Sequence, residues 1–143
     1  MNCMKSEVIK EASVLTLKPG SLISQPCLIK TYDLNNTDAD VNSVEFVSDW
    51  KFTFENDGQI TAWALYFDTM FHNGCQTKVS FSTGPDAKST HWKQTVFFLP
   101  DPITVKSGNT IEGRVAFRRD TSDSRALKIM FQHENEKFTY FLR

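Results

Sequence analysis

An all-β fold, either a sandwich or a barrel, is predicted by three features of this sequence. Aromatic residues make up 13% of the chain, with Phe alone occurring 12 times, and aromatic side chains favour strands. From residue 44 onward, apolar side chains recur at every second position. The alternating runs are short and separated by clusters of turn-forming residues, the pattern of a sandwich or barrel.

The segment before these runs, residues 1–12 (MNCMKSEVIKEA), reads as a short helix or an extended lead-in. Met1, Met4, Val8 and Ile9 would share one face at helical spacing. Pro19-Gly20 breaks the chain, and Ser24-Gln25-Pro26 begins a turn into Cys27-Leu28-Ile29. Asn35 to Asp40 is polar and reads as a loop. Trp50, Phe52 and Phe54 then alternate with Lys51, Thr53 and Glu55, which places the aromatics on one face of a strand. Asn56-Asp57-Gly58 predicts a hairpin turn. One long strand is expected from about Gln59 to Phe71, covered on both faces around Trp63 to Phe67. Asn73-Gly74 turns the chain before Val79 and Phe81. A loop at 83–89 leads to a strand at Thr95–Leu99, which Pro100-Asp101-Pro102 should end. Ser107-Gly108-Asn109 turns the chain into Ile111, Gly113, Val115 and Phe117. Leu127, Ile129 and Phe131 form the next alternation, and Phe138, Tyr140 and Leu142 the last.

At 143 residues the chain has room for one domain with a substantial core. The formal net charge of −1 gives no electrostatic footprint for nucleic acid or an anionic membrane. No apolar run is long enough to span a bilayer, and the first ten residues lack the apolar centre of a secretion signal. Cys3, Cys27 and Cys75 are few, odd in number and widely spaced. They read as free thiols in a reducing compartment, cytoplasm or nucleus, with no metal-ligand spacing.

No complete catalytic constellation is present: the phosphate-cradling, zinc-hydrolase and nucleophile-elbow patterns are all missing. His72 and His133 lie beside predicted turns and read as solvent-exposed. Residues 82–94 (STGPDAKSTHWKQ) place His91 and Trp92 together on a loop that enters a buried strand. Loops held by rigid strands carry function more often than other segments. An imidazole can hydrogen-bond or titrate near neutrality, and an indole can face a cation. The plainer reading is a tryptophan packed at the mouth of the fold beside an incidental histidine, and spacing alone leaves both open.

Thr90-His91-Trp92 followed by Lys93 to Phe97 resembles the THW loop of the protein arginine methyltransferases. Phe81-Ser82-Thr83-Gly84-Pro85 is similar to that family's STxP turn. Ala64 to Phe71 (ALYFDTMF) is similar to its strand ending in YF-D/N-x-x-F. Met1 to Lys10 and Cys27-Leu28-Ile29-Lys30 look like the segment that precedes the family's barrel, and Val105-Lys106-x-Gly108 with Gly113 looks like the next hairpin. The match runs through nearly the whole chain and is densest at 79–99. The details look closest to the type I members, especially the zinc-finger-bearing kind, although no finger is present.

The resemblance implies an antiparallel β-barrel at residues 13–143, with 1–12 as the tail of a dimerisation arm. It implies that the S-adenosylmethionine-binding domain and its paired glutamates lie outside this chain. The parent would be a type I protein arginine N-methyltransferase, and this chain alone inactive and free of cofactor. Thr90, His91 and Trp92 would border the pocket for the substrate arginine, with Trp92 as wall and His91 bonded to an acidic group of the other domain. Substrates would be arginine-bearing, often Arg/Gly-rich, proteins. The parent would be a homodimer, and this chain, lacking a barrel strand, would expose an edge open to pairing or to exchange of its N-terminal segment. A rival reading is a stand-alone β-sandwich that binds a ligand or protein through exposed Trp63 and Trp92.

Overall fold

The computed structural model describes residues 8–40 and 42–143, and these contain no helix. Their strands are β1 (Val8–Glu11), β2 (Ser13–Leu15), β3 (Phe46–Thr53), β4 (Gly58–Leu65), β5 (Asp68–Phe71), β6 (Val79–Ser82), β7 (Gln94–Val105), β8 (Thr110–Arg119), β9 (Leu127–His133) and β10 (Glu136–Leu142). Most of the face suggested for Met1, Met4, Val8 and Ile9 lies outside the described residues.

Two sheets face each other across one core. The first has the order β1-β10-β9-β8-β3 and the second β2-β7-β4. The period-two runs become rows of inward side chains. Val115, Phe131 and Phe138 sit opposite one another across β8, β9 and β10, and Phe117, Ile129 and Tyr140 form the next row. All six are buried. The second sheet contributes Trp63 and Phe97. Trp50 and Trp63 meet at 4.9 Å between β3 and β4, so their indoles bridge the two sheets.

The N-terminal segment holds the other side of this open barrel together. β1 pairs with β10, the Ala12 N–H donates to the Phe141 carbonyl at 2.8 Å, and β2 then pairs with β7. A single extended lead-in therefore crosses from one sheet to the other. The β1–β10 pair is parallel, unlike the other pairs among the described residues.

Three local expectations need correction. Asn56-Asp57-Gly58 does not close a hairpin, because β3 pairs with β8 and β4 with β7. The segment is a corner between sheets, held by the 106–109 turn. The Asp57 carboxylate accepts from the Ser107 N–H at 2.8 Å and from Lys106 Nζ at 3.1 Å, and the Gly108 N–H donates to the Phe54 carbonyl at 2.7 Å. Gly108 sits at φ +81°, which a residue with a Cβ rarely adopts.

The strand expected from Gln59 to Phe71 is two strands, divided at Tyr66-Phe67. Thr83 takes both backbone polar groups of Phe67, which turns the chain away from β7 and onto β6. Conversely, Pro100 and Pro102 do not end their strand. Ile60 faces Ile103 while Ala62 faces Phe98, so the prolines lie in a bulge where no ladder N–H is required.

Tyr140 ties the sheets together, its hydroxyl donating to the Phe98 carbonyl at 2.8 Å. Burial pushes its pKa up to about 12. The unfolded phenol ionises near 10, so the native state holds this proton more tightly. The stabilisation is complete below pH 10 and is lost as pH rises through 12. Urea unfolding between pH 9 and 12 should show falling stability over that window. In Tyr140→Phe the fall should be shallower; an unchanged slope would remove Tyr140 as its source.

Candidate functional site

The 90–92 turn is built by two buried polar residues on either side of it. Thr83 is 2% exposed. Its N–H and hydroxyl both donate to the Phe67 carbonyl at 2.9 Å, and its hydroxyl oxygen accepts from the Phe67 N–H at 3.0 Å. A Cβ on neighbouring Gly84 would come within 2.9 Å of the Tyr66 ring, so the turn needs glycine there. The Asp86 carboxylate accepts from the Gly20 N–H at 2.9 Å and fastens the loop to the N-terminal segment.

Gln94 is the second anchor, 4% exposed at the start of β7. Its amide oxygen accepts from the Leu17 N–H at 2.8 Å, and its amide nitrogen donates to the Thr83 carbonyl at 2.7 Å. Between the anchors, the Lys93 N–H returns to the Thr90 carbonyl at 3.2 Å, with Lys93 at φ +56°. The turn is thus tethered at both ends while its tip meets solvent.

The structure brings Thr90, His91 and Trp92 together at that tip. Thr90 is half-buried, and its hydroxyl is enclosed with no hydrogen-bond partner among the described residues. His91 is exposed, and its ring centre lies 3.9 Å from that of Trp92. Trp92 is 48% exposed. It stacks on Phe81 at 5.9 Å and meets the edge of Phe67 at 5.6 Å. An open concavity of ≈ 460 Å³ beside it is lined by Phe81, Ser82, Ala87, Lys88, Ser89 and Thr90. The arrangement offers a flat aromatic wall and an accessible imidazole, with the Thr90 hydroxyl enclosed beside them. It can border a pocket for a cation or a planar group, but it contains no activated nucleophile.

Two other sequence expectations, on Trp63 and on the histidines, resolve here. Trp63 is 7% exposed, so it offers no surface to a partner. His72 is exposed, whereas His133 is half-buried with its ring 5.9 Å from Trp50. Among the described residues no group of three or more His, Cys, Asp or Glu is placed to hold a metal.

The anchors Thr83 and Gln94 are functional supports that pattern reading did not single out. Both lie inside the 82–94 segment, but nothing in a row of polar residues shows which will be buried. Gln94→Leu keeps the bulk and removes both bonds, leaving the Leu17 N–H and the Thr83 carbonyl unpaired. The expected loss is about 2–3 kcal/mol in urea unfolding, with a red shift in Trp92 fluorescence as the turn loosens. A loss below about 0.5 kcal/mol would show that the amide is not an anchor.

The family model of the arginine methyltransferase oligomerization subdomain matches residues 1–137. The chain belongs to this family. It is 32% identical to the probable protein arginine N-methyltransferase 1.2 of Arabidopsis thaliana, with 100% of this chain and 40% of that protein aligned. It is 34% identical to protein arginine N-methyltransferase 1 of Caenorhabditis elegans, covering 98% of this chain and 42% of the relative. The oligomerization subdomain therefore spans about two fifths of the length of these relatives.

Two solved structures share the fold. The Trypanosoma brucei PRMT1 enzyme–prozyme heterotetrameric complex with AdoHcy superposes with a TM-score of 0.81 at 23% identity, covering 93% of this chain and 44% of that one. Arabidopsis thaliana protein arginine methyltransferase 10 gives 0.83 at 23% identity, covering 93% and 42%. The described residues contain no strand–glycine turn–helix unit.

Proposed function

We propose that this subdomain completes the substrate-arginine pocket of an intact type I protein arginine N-methyltransferase and supports its homodimerisation. The observation that carries the reading is the 90–92 turn. It is tethered by buried Thr83 and Gln94, yet it holds Trp92 half-exposed on Phe67 and Phe81. A fixed aromatic wall suits one side of a slot for a planar guanidinium. His91 would hydrogen-bond an acidic group on the facing domain, holding the two halves of the pocket in register. Trp92 would confine the side chain, and Thr90, its hydroxyl enclosed, would shape the rim beside it.

S-adenosylmethionine, bound by the other half of the enzyme, would supply the methyl group. The subdomain alone is then inactive and binds no cofactor. Homodimerisation is supported by the family's description as an oligomerization subdomain. β3 and β4 each end their sheet among the described residues, which suits the addition of a further strand. Arginine-bearing, often Arg/Gly-rich, proteins are the proposed substrates. Free Cys27 and Cys75 suit the cytoplasm or nucleus.

Methyl transfer to an Arg/Gly-rich peptide tests the reading. The 143-residue chain should show none. In the intact enzyme His91→Ala should lower kcat by roughly 10- to 100-fold, with Tm shifted by no more than about 2 °C. An unchanged kcat would remove His91 from the pocket, and turnover by the chain alone would overturn the division of labour.

A further inference from the structure

The hairpin β5–β6 forms a two-stranded sheet of its own, separate from the two sheets that enclose the core. Its register pairs Asp68 with Ser82, Thr69 with Phe81, Met70 with Ser80, and Phe71 with Val79. Residues directly opposite each other share a face, and successive residues alternate faces. One face therefore carries Thr69, Phe71, Val79 and Phe81, and the other Asp68, Met70, Ser80 and Ser82.

The first face runs into the 90–92 turn. At its base Phe67 meets Phe81 at 6.4 Å, and both rings contact Trp92. The result is one apolar strip from Phe71 and Val79, through Phe81 and Phe67, to Trp92. Its members are far from buried: Phe71 is 50% exposed, Val79 51%, Phe67 43% and Trp92 48%. The strip bears no charged side chain, whereas the opposite face carries Asp68, two serines and a lone apolar residue, Met70, 64% exposed.

An isolated two-stranded hairpin is marginally stable in water, and a contiguous exposed apolar patch marks a contact surface. The neighbours that would cover this strip are not supplied by either sheet. We propose that the strip docks on an apolar surface of the cofactor-binding half in the intact methyltransferase, so that the hairpin is part of the joint between the halves. This inference rests on the pocket reading above. Two observations select that occupant. The strip is continuous with Trp92, so a domain facing the 90–92 turn also faces the strip. The chain spans 42% or less of four matched relatives, which leaves most of such a polypeptide to cover it.

The test is the pair Phe71→Ser and Val79→Ser, made both in the 143-residue chain and in the intact enzyme. Both side chains are half-exposed in the chain, so its Tm should move by no more than about 2 °C. Hydrogen exchange of the 68–82 amides should be at least about tenfold slower in the intact enzyme than in the chain. The pair should abolish that protection and lower the intact enzyme's Tm by about 5 °C or more. Equal exchange in the two forms overturns the proposal, as does an intact enzyme indifferent to the pair. Light scattering of the chain provides the remaining arm: a mass that falls when the pair is introduced places a second copy on the strip and also overturns it. The two readings fail separately. If His91→Ala lowers kcat while the hairpin is unprotected, the pocket stands without the docking strip. A protected hairpin with unchanged kcat in His91→Ala leaves the strip and removes the pocket role.

Discussion

Replacing Gly113 with alanine is expected to cost about 3 kcal/mol or more, at the upper end for overpacking a core. Gly113 lies at the centre of β8, between Trp50 on β3 and His133 on β9. The Trp50 indole lies across it. A Cβ added at Gly113 would fall 2.5 Å from Cζ2 of that ring and would overlap the Gln132 carbonyl oxygen. The ring cannot retreat freely, because it also touches Trp63 at 4.9 Å and Phe52 at 5.5 Å. Nor can the carbonyl, since Gln132 is paired in β9 between β8 and β10. Urea unfolding should show a sharply lower midpoint with an unchanged slope. Adding Trp50→Leu should recover only part of the loss, because the backbone overlap remains. A Gly113→Ala protein as stable as the parent would refute the close approach.

Phe97→Ala should cost about 3–5 kcal/mol, the usual loss for emptying an aromatic site in a core. Phe97 is 0% exposed and packs against Phe131 at 5.1 Å and Tyr140 at 5.2 Å. It thus joins β7 of one sheet to β9 and β10 of the other. Its neighbour Phe98 is an internal control, being 45% exposed on the opposite face of the same strand. Phe98→Ala should change stability by less than about 1 kcal/mol. In calorimetry the two variants should differ by roughly 10 °C in Tm. Equal losses would mean that the inward and outward faces of β7 are misassigned.

Alternation was a reliable guide where a strand has one wet and one dry face. Ile111 to Phe117, Leu127 to Phe131 and Phe138 to Leu142 all form strands that present those residues to the core. It failed where side-chain hydrogen bonds or partner choice controlled the path. The division at Tyr66-Phe67 depends on Thr83, which is 16 residues away. The 54–57 corner depends on the turn at 106–109. The bulge that accommodates Pro100 and Pro102 depends on how β4 aligns beside β7. Each is a contact between distant segments, which no local window contains.

The candidate site divides in the same way. Thr90, His91 and Trp92 were legible as adjacent residues on a loop, and the resemblance gave them a family context. Their supports were not legible. Gln94 bonds to Leu17, 77 residues away, and Trp92 rests on Phe67 and Phe81 from two other segments.

By itself the sequence determined the fold class, the faces of most strands and the grouping of the 90–92 residues. These follow from period-two burial and from neighbours in the chain. Only the tertiary structure decided which strands pair, that β1 runs parallel to β10, and that the Phe71-to-Trp92 strip faces outward. Those outcomes depend on long-range backbone and side-chain contacts, whose energies exist only once separated segments meet.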